Sequence, residues 1–370
     1  DYQRSRGLGD VYKRQEWYQK QTSSYEVQIE LIYHAIKSSQ FEAASEIVVN
    51  DGRQLVSQGY MELLGLIEQI ETDDLTSSVV IRMAQLQGDI LALLGRLNEA
   101  ETVLNDTLER AQSTAGELVQ AEILSSLADV SRKQGNSELS LNRHKAALKH
   151  YISLGNARWA ARTYNNIGYL LRRKNERNKA LEAYGEVEAI LESSDDDELI
   201  YSQITLARSL IELGEVDRAR EHAMASHERT SALGDGVLHA RAQAVLGRYY
   251  SKVEQSELAL FHYSEALSAM TEAGDVQSLV EITMLLGEVL HDAGRTEEAV
   301  EHYSQALVLA EANDLRMQIG ELLTRLGGVA PDRQGRMEYL QRALTVFREL
   351  GAKSRMREVQ TMVHRAVMSR

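Results

Sequence analysis

Seven small residues stand at a fixed spacing along this chain, and that spacing restricts the fold more than any other feature. Gly88, Ala128, Gly168, Ala207, Gly247, Gly287 and Gly327 are separated by 40, 40, 39, 40, 40 and 40 residues. A self-similar period of about 20–50 residues is the mark of a repeat array, in which each unit buries its apolar face only against its neighbours. Other positions keep the phase. Seven residues after the small position come Gly95, Gly135, Asn175, Gly214 and Gly294, types that tolerate the left-handed backbone ending a helix. Twelve residues after it come Ala100, Ala180, Ala219, Ala259 and Ala299, which let two helices approach closely. The segment HYSEAL at 262–267 returns as HYSQAL at 302–307. Gly155-Asn156, Gly234-Asp235, Gly274-Asp275 and Asn313-Asp314 each read as a helix stop followed by an N-cap.

Each unit therefore reads as two helices. Helix A carries the small residue, with Leu286, Val289 and Leu290 at helical spacing. Helix B carries the alanine and a tyrosine, as in Ala299, Tyr303 and Ala306. The chain holds one proline, Pro331, and much Ala, Leu, Glu and Arg, which suits helices. At 370 residues it exceeds the usual size of one compact core, so two domains or an elongated array are expected.

Small residue, turn glycine, alanine, tyrosine and alanine in this order resemble the tetratricopeptide repeat. The unit of about 40 residues resembles the longer form found in kinesin light chains, LGN-type spindle proteins, bacterial Rap-type peptide receptors and the sensor arms of signalling ATPases. The resemblance implies an all-α fold, a right-handed superhelical solenoid of antiparallel helix pairs. It places seven repeats at 78–350 and a C-terminal capping helix at 351–370. Departures are Ser140 in place of alanine, Ala223 in place of an aromatic, and a last unit shortened by three residues around Pro331, which breaks the helix there.

Residues 16–77 do not share the phase. Trp17-Tyr18, His34-Ala35, Phe41 with Ala44, and Leu55 with Gly59 resemble the helical stretch after the winged-helix domain of STAND ATPases of the maltose-activator and LuxR-like type. Two degenerate repeats forming an N-terminal cap is the other reading. No G-x-x-x-x-G-K-[ST] segment is present, so the nucleotide-binding domain of such a protein would lie outside this sequence. Residues 1–15, basic and glycine-bearing, are expected to be a non-native, adapter-derived or disordered segment.

The net charge of −14 argues against general binding to nucleic acid or anionic membranes. No run approaches the ~18 apolar residues of a membrane-spanning helix. Without cysteine there are no disulfides, thiolate metal sites or thiol nucleophiles. No G-x-S-x-G or H-E-x-x-H motif occurs, so the chain is expected not to be an enzyme, with no cofactor and no metal. His262 and His302 share one repeat position and read as structural repetition. His222 and His227, five apart, do not share a helix face. Asp195 with Glu198 reads as a capping box.

In tetratricopeptide arrays the A helices line the concave groove, with side chains three before the small residue and one and four after it. Here these are Ser125, Asp129 and Arg132; Asn165, Tyr169 and Arg172; Ile204, Arg208 and Ile211; and Ala244, Arg248 and Ser251, with Arg162 and Arg241 one turn back. Asn166 stands beside Asn165 in TYNNIGYLL, which resembles the asparagine-bearing A helices that hold peptide backbones. Arg132, Arg162, Asn165, Asn166, Tyr169, Arg172, Arg208, Arg241 and Arg248 are thus the candidate partner-binding residues. Arginine forks fit carboxylates and asparagine amides fit backbone. The expected partner is a protein or peptide, extended or acidic, bound by the sensing arm of a larger cytoplasmic regulator. Self-association stays open. A stand-alone peptide receptor and a small-molecule sensor, such as one for a sugar, are the alternatives, the latter needing aromatics such as Trp159, Tyr169 and Tyr201. Pairing of these arginines with neighbouring Glu and Asp is the competing explanation.

Overall fold

The structure, a computed structural model, describes residues 25–57, 59–194 and 196–368. The segment 1–15, Trp17 and Tyr18 and Asp195 lie outside the described residues. Among those described there are eighteen α-helices, one 3-10 turn and no strand. Three helices come first: α1 (Tyr25–Lys37), α2 (Phe41–Ser57) and the short α3 (Leu63–Ile67). The repeats follow as A/B pairs: α4 (Ser77–Leu93) with α5 (Leu97–Thr114), α6 (Glu117–Lys133) with α7 (Ser137–Ser153), and α8 (Ala157–Arg173) with α9 (Arg177–Glu192). Next come α10 (Ile200–Leu213) with α11 (Val216–Leu233), α12 (Gly236–Lys252) with α13 (Ser256–Ala273), α14 (Val276–Asp292) with α15 (Thr296–Ala312), and α16 (Arg316–Val329) with α17 (Arg333–Glu349). α18 (Lys353–Met368) closes the series. The architecture is an all-α solenoid of antiparallel helix pairs.

The chain divides into two compact units, residues 1–186 and 187–370. In the first, Ile32, Ala44, Val48 and Leu55 of α1 and α2 share one apolar core with Ile81, Ile90 and Leu104 of the first repeat. In the second, one core gathers Tyr263, Leu286 and Val289, and another gathers Tyr303, Leu323 and Phe347. Within each unit, A helices of successive repeats touch: α4 with α6, α10 with α12, and α14 with α16.

The phased residues have a direct physical account. The seven-after position has positive φ in Gly95, Gly135, Asn175, Gly214 and Gly294, and also in Glu254, at 60°. The twelve-after alanines Ala100, Ala180, Ala219, Ala259 and Ala299 are fully buried. A Cβ built on Gly168 would lie 2.4 Å from the Tyr184 ring, and one on Gly287 would lie 2.6 Å from the Tyr303 ring. The glycine is thus the hole into which a B-helix knob sixteen residues on is pressed. Where the small residue is alanine, the knob is smaller: Ala128 is matched by His144 and Ala207 by Ala223. Ala223 is therefore half of a matched pair rather than a lapse in the repeat.

Asn156, Asp235 and Asp275 cap α8, α12 and α14 by accepting backbone N–H groups. Asn313-Asp314 does otherwise. Asp314 takes φ 49° and Leu315, at the N-cap position of α16, makes no side-chain cap. At the acidic run, Asp196 caps the 3-10 turn by accepting from the Glu198 N–H, so the described cap lies one residue after Asp195. α16 stops at Val329, just before Pro331, and Asp332 caps α17.

Candidate functional site on the A helices

In the unit 1–186 the A-helix face is richest in cations on α8. That helix holds Arg158, Arg162, Arg172 and Arg173 and no carboxylate. Their guanidinium groups are laid against aromatic faces. Arg162 lies 4.9 Å from the centre of the Trp159 ring, and Arg172 lies 5.4 Å from that of Tyr169. Trp159 in turn stacks on Tyr151 at 5.9 Å. Such contacts hold a cation in place. Asn165 is only 3% exposed, whereas Asn166 is exposed. Arg132 pairs with Asp129 on its own helix at 3.3 Å. One groove carboxyl is perturbed: burial pushes Asp89 up to about 6, against a hydrogen bond from Ser126 and the charge of Arg53.

In the unit 187–370 the arginines sit in different company. Arg241 pairs with Asp275 at 3.6 Å and covers the Tyr201 ring at 5.6 Å. Arg248 pairs with Glu281 at 2.5 Å, in the next repeat's A helix. Burial works to lower the Arg248 pKa, but Glu281, Tyr263 and Glu212 outweigh it and raise it. Arg208 is exposed and makes no ion pair among the described residues.

A cavity of about 640 Å³ opens here across three consecutive A helices. Ile211, Leu285 and Val289 form its apolar part. Arg248 and Ser251, one and four residues after Gly247, also line it. Its carboxylates, Glu212, Glu254, Glu288 and Asp292, escaped the sequence reading. Glu288 occupies the same register as Arg248, one repeat later, and carrying the register one repeat further would have reached it. Tyr263 lies at the base of the cavity, 1% exposed, and its hydroxyl makes no hydrogen bond among the described residues. Tyr303, at the same repeat position, is hydrogen-bonded by Arg325. Burial pushes the Tyr263 phenol up, so it stays protonated and can both donate and accept.

Among the described residues, no three His, Asp or Glu side chains are placed to hold a metal ion, and no helix is long and apolar enough to cross a membrane.

One tetratricopeptide-repeat family model matches residues 119–193, and a second matches 200–223 and 281–305. These are tetratricopeptide repeats. A search of curated proteins finds no match. Solved structures share the fold at low identity. A Rap conjugation gene regulator of the plasmid pLS20, in complex with the Phr* peptide, has a TM-score of 0.59 at 13% identity, covering 88% of this chain and 96% of that one. A Rap protein complexed with Competence and Sporulation Factor gives 0.55 at 13%, covering 92% and 97%. A STAND protein with a tetratricopeptide repeat sensor from Pyrococcus horikoshii gives 0.56 at 13%, covering 96% of this chain and 55% of that one. The tetratricopeptide repeats here thus stand on both sequence and fold, and their ligand must be argued from their own side chains.

Proposed function

We propose that this chain is a partner-binding solenoid that holds an extended polypeptide along its A helices, acting as the sensing or docking arm of a regulator. The observation that carries the reading is the open cavity across α10, α12 and α14. It has the size of a segment-binding site and is lined at the repeat positions that face the groove in tetratricopeptide arrays. In the unit 1–186, α8 carries four arginines and no carboxylate, a composition that suits an acidic partner. The peptide-bound Rap structures share this fold, which supports the mode of binding without identifying the ligand. A sugar-type ligand is disfavoured, because the rings it would stack on, Trp159, Tyr169 and Tyr201, are covered by Arg162, Arg172 and Arg241.

The test is a peptide array probed with the wild type and with an Arg172→Glu, Arg208→Glu variant at equal helicity by circular dichroism. Both side chains reach solvent, so folding should survive. Loss of the acidic peptides from the variant's profile is expected. An unchanged profile would remove the A-helix face from the binding site.

A further inference from the structure

We infer that the cavity of the unit 187–370 is a pocket for one cationic side chain, a lysine or arginine, of the bound polypeptide. The inference rests on the peptide-binding reading above. Three independent features converge on it.

The first is charge. Glu212, Glu254, Glu288 and Asp292 line the cavity against Arg248 and Lys252. Outside the lining, Glu281 pairs with Arg248 and Arg325 with Glu288. The positive charge of Arg248 is already answered at 2.5 Å by Glu281, so it does not offer itself to an anion.

The second is the backbone. The cavity is built from the C-terminal ends of its A helices. Glu212 precedes the last residue of α10, Lys252 ends α12 and Asp292 ends α14. Helix C-termini carry the negative pole of the macrodipole, which attracts cations. Glu212 and Asp292 sit at these ends, where an anion is locally unfavourable. Asp292 forms no ion pair among the described residues, so folding itself gives this carboxylate no counter-charge.

The third is Tyr263. Its hydroxyl lies in the cavity, has no hydrogen-bond partner among the described residues, and stays protonated. An ammonium or guanidinium entering between Glu212 and Asp292 would donate to that oxygen. Ile211, Leu285 and Val289 would meanwhile cover the apolar stem of the side chain, as long cationic side chains require.

The experiment is selection of a random octapeptide library, displayed on phage, against the whole chain. It is run in parallel on the wild type, a Glu212→Gln, Asp292→Asn variant and a Tyr263→Phe variant. All three changes are near-isosteric, and thermal unfolding checks that each variant folds. Wild-type peptides should share a Lys or Arg at one fixed position. The double variant should lose that preference and bind the selected peptide about 10–100-fold more weakly, since two charge-assisted contacts are removed. Tyr263→Phe should weaken it about 3–10-fold with unfolding unchanged, because the hydroxyl has no partner to lose in the free protein. Peptides without a fixed basic position, or a preference that survives in the double variant, would overturn the pocket assignment while leaving peptide binding intact. A library that enriches nothing removes the peptide-binding reading and this inference with it. Stabilisation by spermidine with no enriched peptide would place the cation on a small molecule, and overturns the side-chain assignment.

Discussion

At the scale of single residues, α7 carries the least comfortable side chains. Ser140 and His144 sit one turn apart, fully buried, and neither the serine Oγ nor either imidazole nitrogen has a hydrogen-bond partner among the described residues. Burial pushes His144 down to about 4. The unfolded chain therefore takes up a proton below pH ~6.5, which the folded chain refuses until pH is near 4. The contribution of this site is complete above the unfolded value and declines as pH falls towards the folded one. At pH 5 the loss amounts to about 2 kcal/mol. The first repeat holds Leu104 at the equivalent position, so His144→Leu supplies a side chain of similar size already used there. Urea unfolding should show the wild type losing about 2 kcal/mol more than His144→Leu between pH 7 and pH 5. Parallel losses would mean that His144 is not held neutral. Ser140→Ala restores the alanine of the other repeats and should raise stability by about 1 kcal/mol at pH 7; a lower unfolding midpoint would show that the hydroxyl is satisfied after all.

At the scale of the helix pair, the knob and its hole set the sign of a glycine substitution. Propensity alone favours alanine over glycine inside a helix by about 1 kcal/mol. At Gly287 the new Cβ would lie 2.6 Å from the Tyr303 ring, and overpacking of that kind costs about 1–3 kcal/mol. Gly185, inside α9, has nothing within 4 Å of such a Cβ. Gly185→Ala should therefore stabilise, and Gly287→Ala should destabilise by up to about 2 kcal/mol. Combining Gly287→Ala with Tyr303→Ala reproduces the natural Ala207–Ala223 pair, and a double-mutant cycle should give a favourable coupling of about 1 kcal/mol or more. Additive effects would separate the two positions. These elements were legible in the sequence because the knob, the hole and the left-handed turn each demand a particular residue type at a fixed phase. Asp314 was misread because Asn and Asp serve both as caps and as left-handed residues, and the dipeptide alone does not say which. The charge around Arg248 was not legible in the same way. Arg248 and Glu281 are 33 residues apart, and only stacking of successive A helices brings them to 2.5 Å. Arg316 with Glu349 and Arg355 with Glu321 repeat this spacing closely, so a scan for opposite charges 33–34 apart would have shown that part of the arginine stripe is already paired.

At the scale of the whole molecule, the buried residues are not spread evenly. Among the described residues fifteen buried side chains are polar, and eleven of them lie between 131 and 243, from Ser131 and Ser140 through Thr163, Asn165 and Ser202 to Thr230 and Gln243. In the same stretch two of the three B-helix knobs shrink, to His144 and Ala223, while Tyr184 stays large, and several buried polar atoms, such as His227 Nδ1, have no hydrogen-bond partner among the described residues. Elsewhere the core is built from Ile90, Leu104, Tyr303, Leu326 and Phe347. Repeat arrays are held by intrinsic and nearest-neighbour terms, and a uniform array opens first at its outer units. Here the apolar term is weakest in the middle. Each large apolar side chain replaced by a small or polar one forgoes about 1–3 kcal/mol of burial, more than the few tenths that fraying of one helix end involves. Native-state hydrogen exchange should therefore find the amides of α7, α8 and α11 opening at lower free energy than those of α14, α15 and α5. Denaturant should close that gap only near global unfolding. Since α8 also carries the arginine face proposed to meet the partner, binding should slow exchange there more than in α15 or α5. A profile with the strongest protection across 131–243 would mean that hydrogen bonding in the polar middle outweighs its missing apolar burial, and that the partner meets a rigid surface rather than one it helps to order.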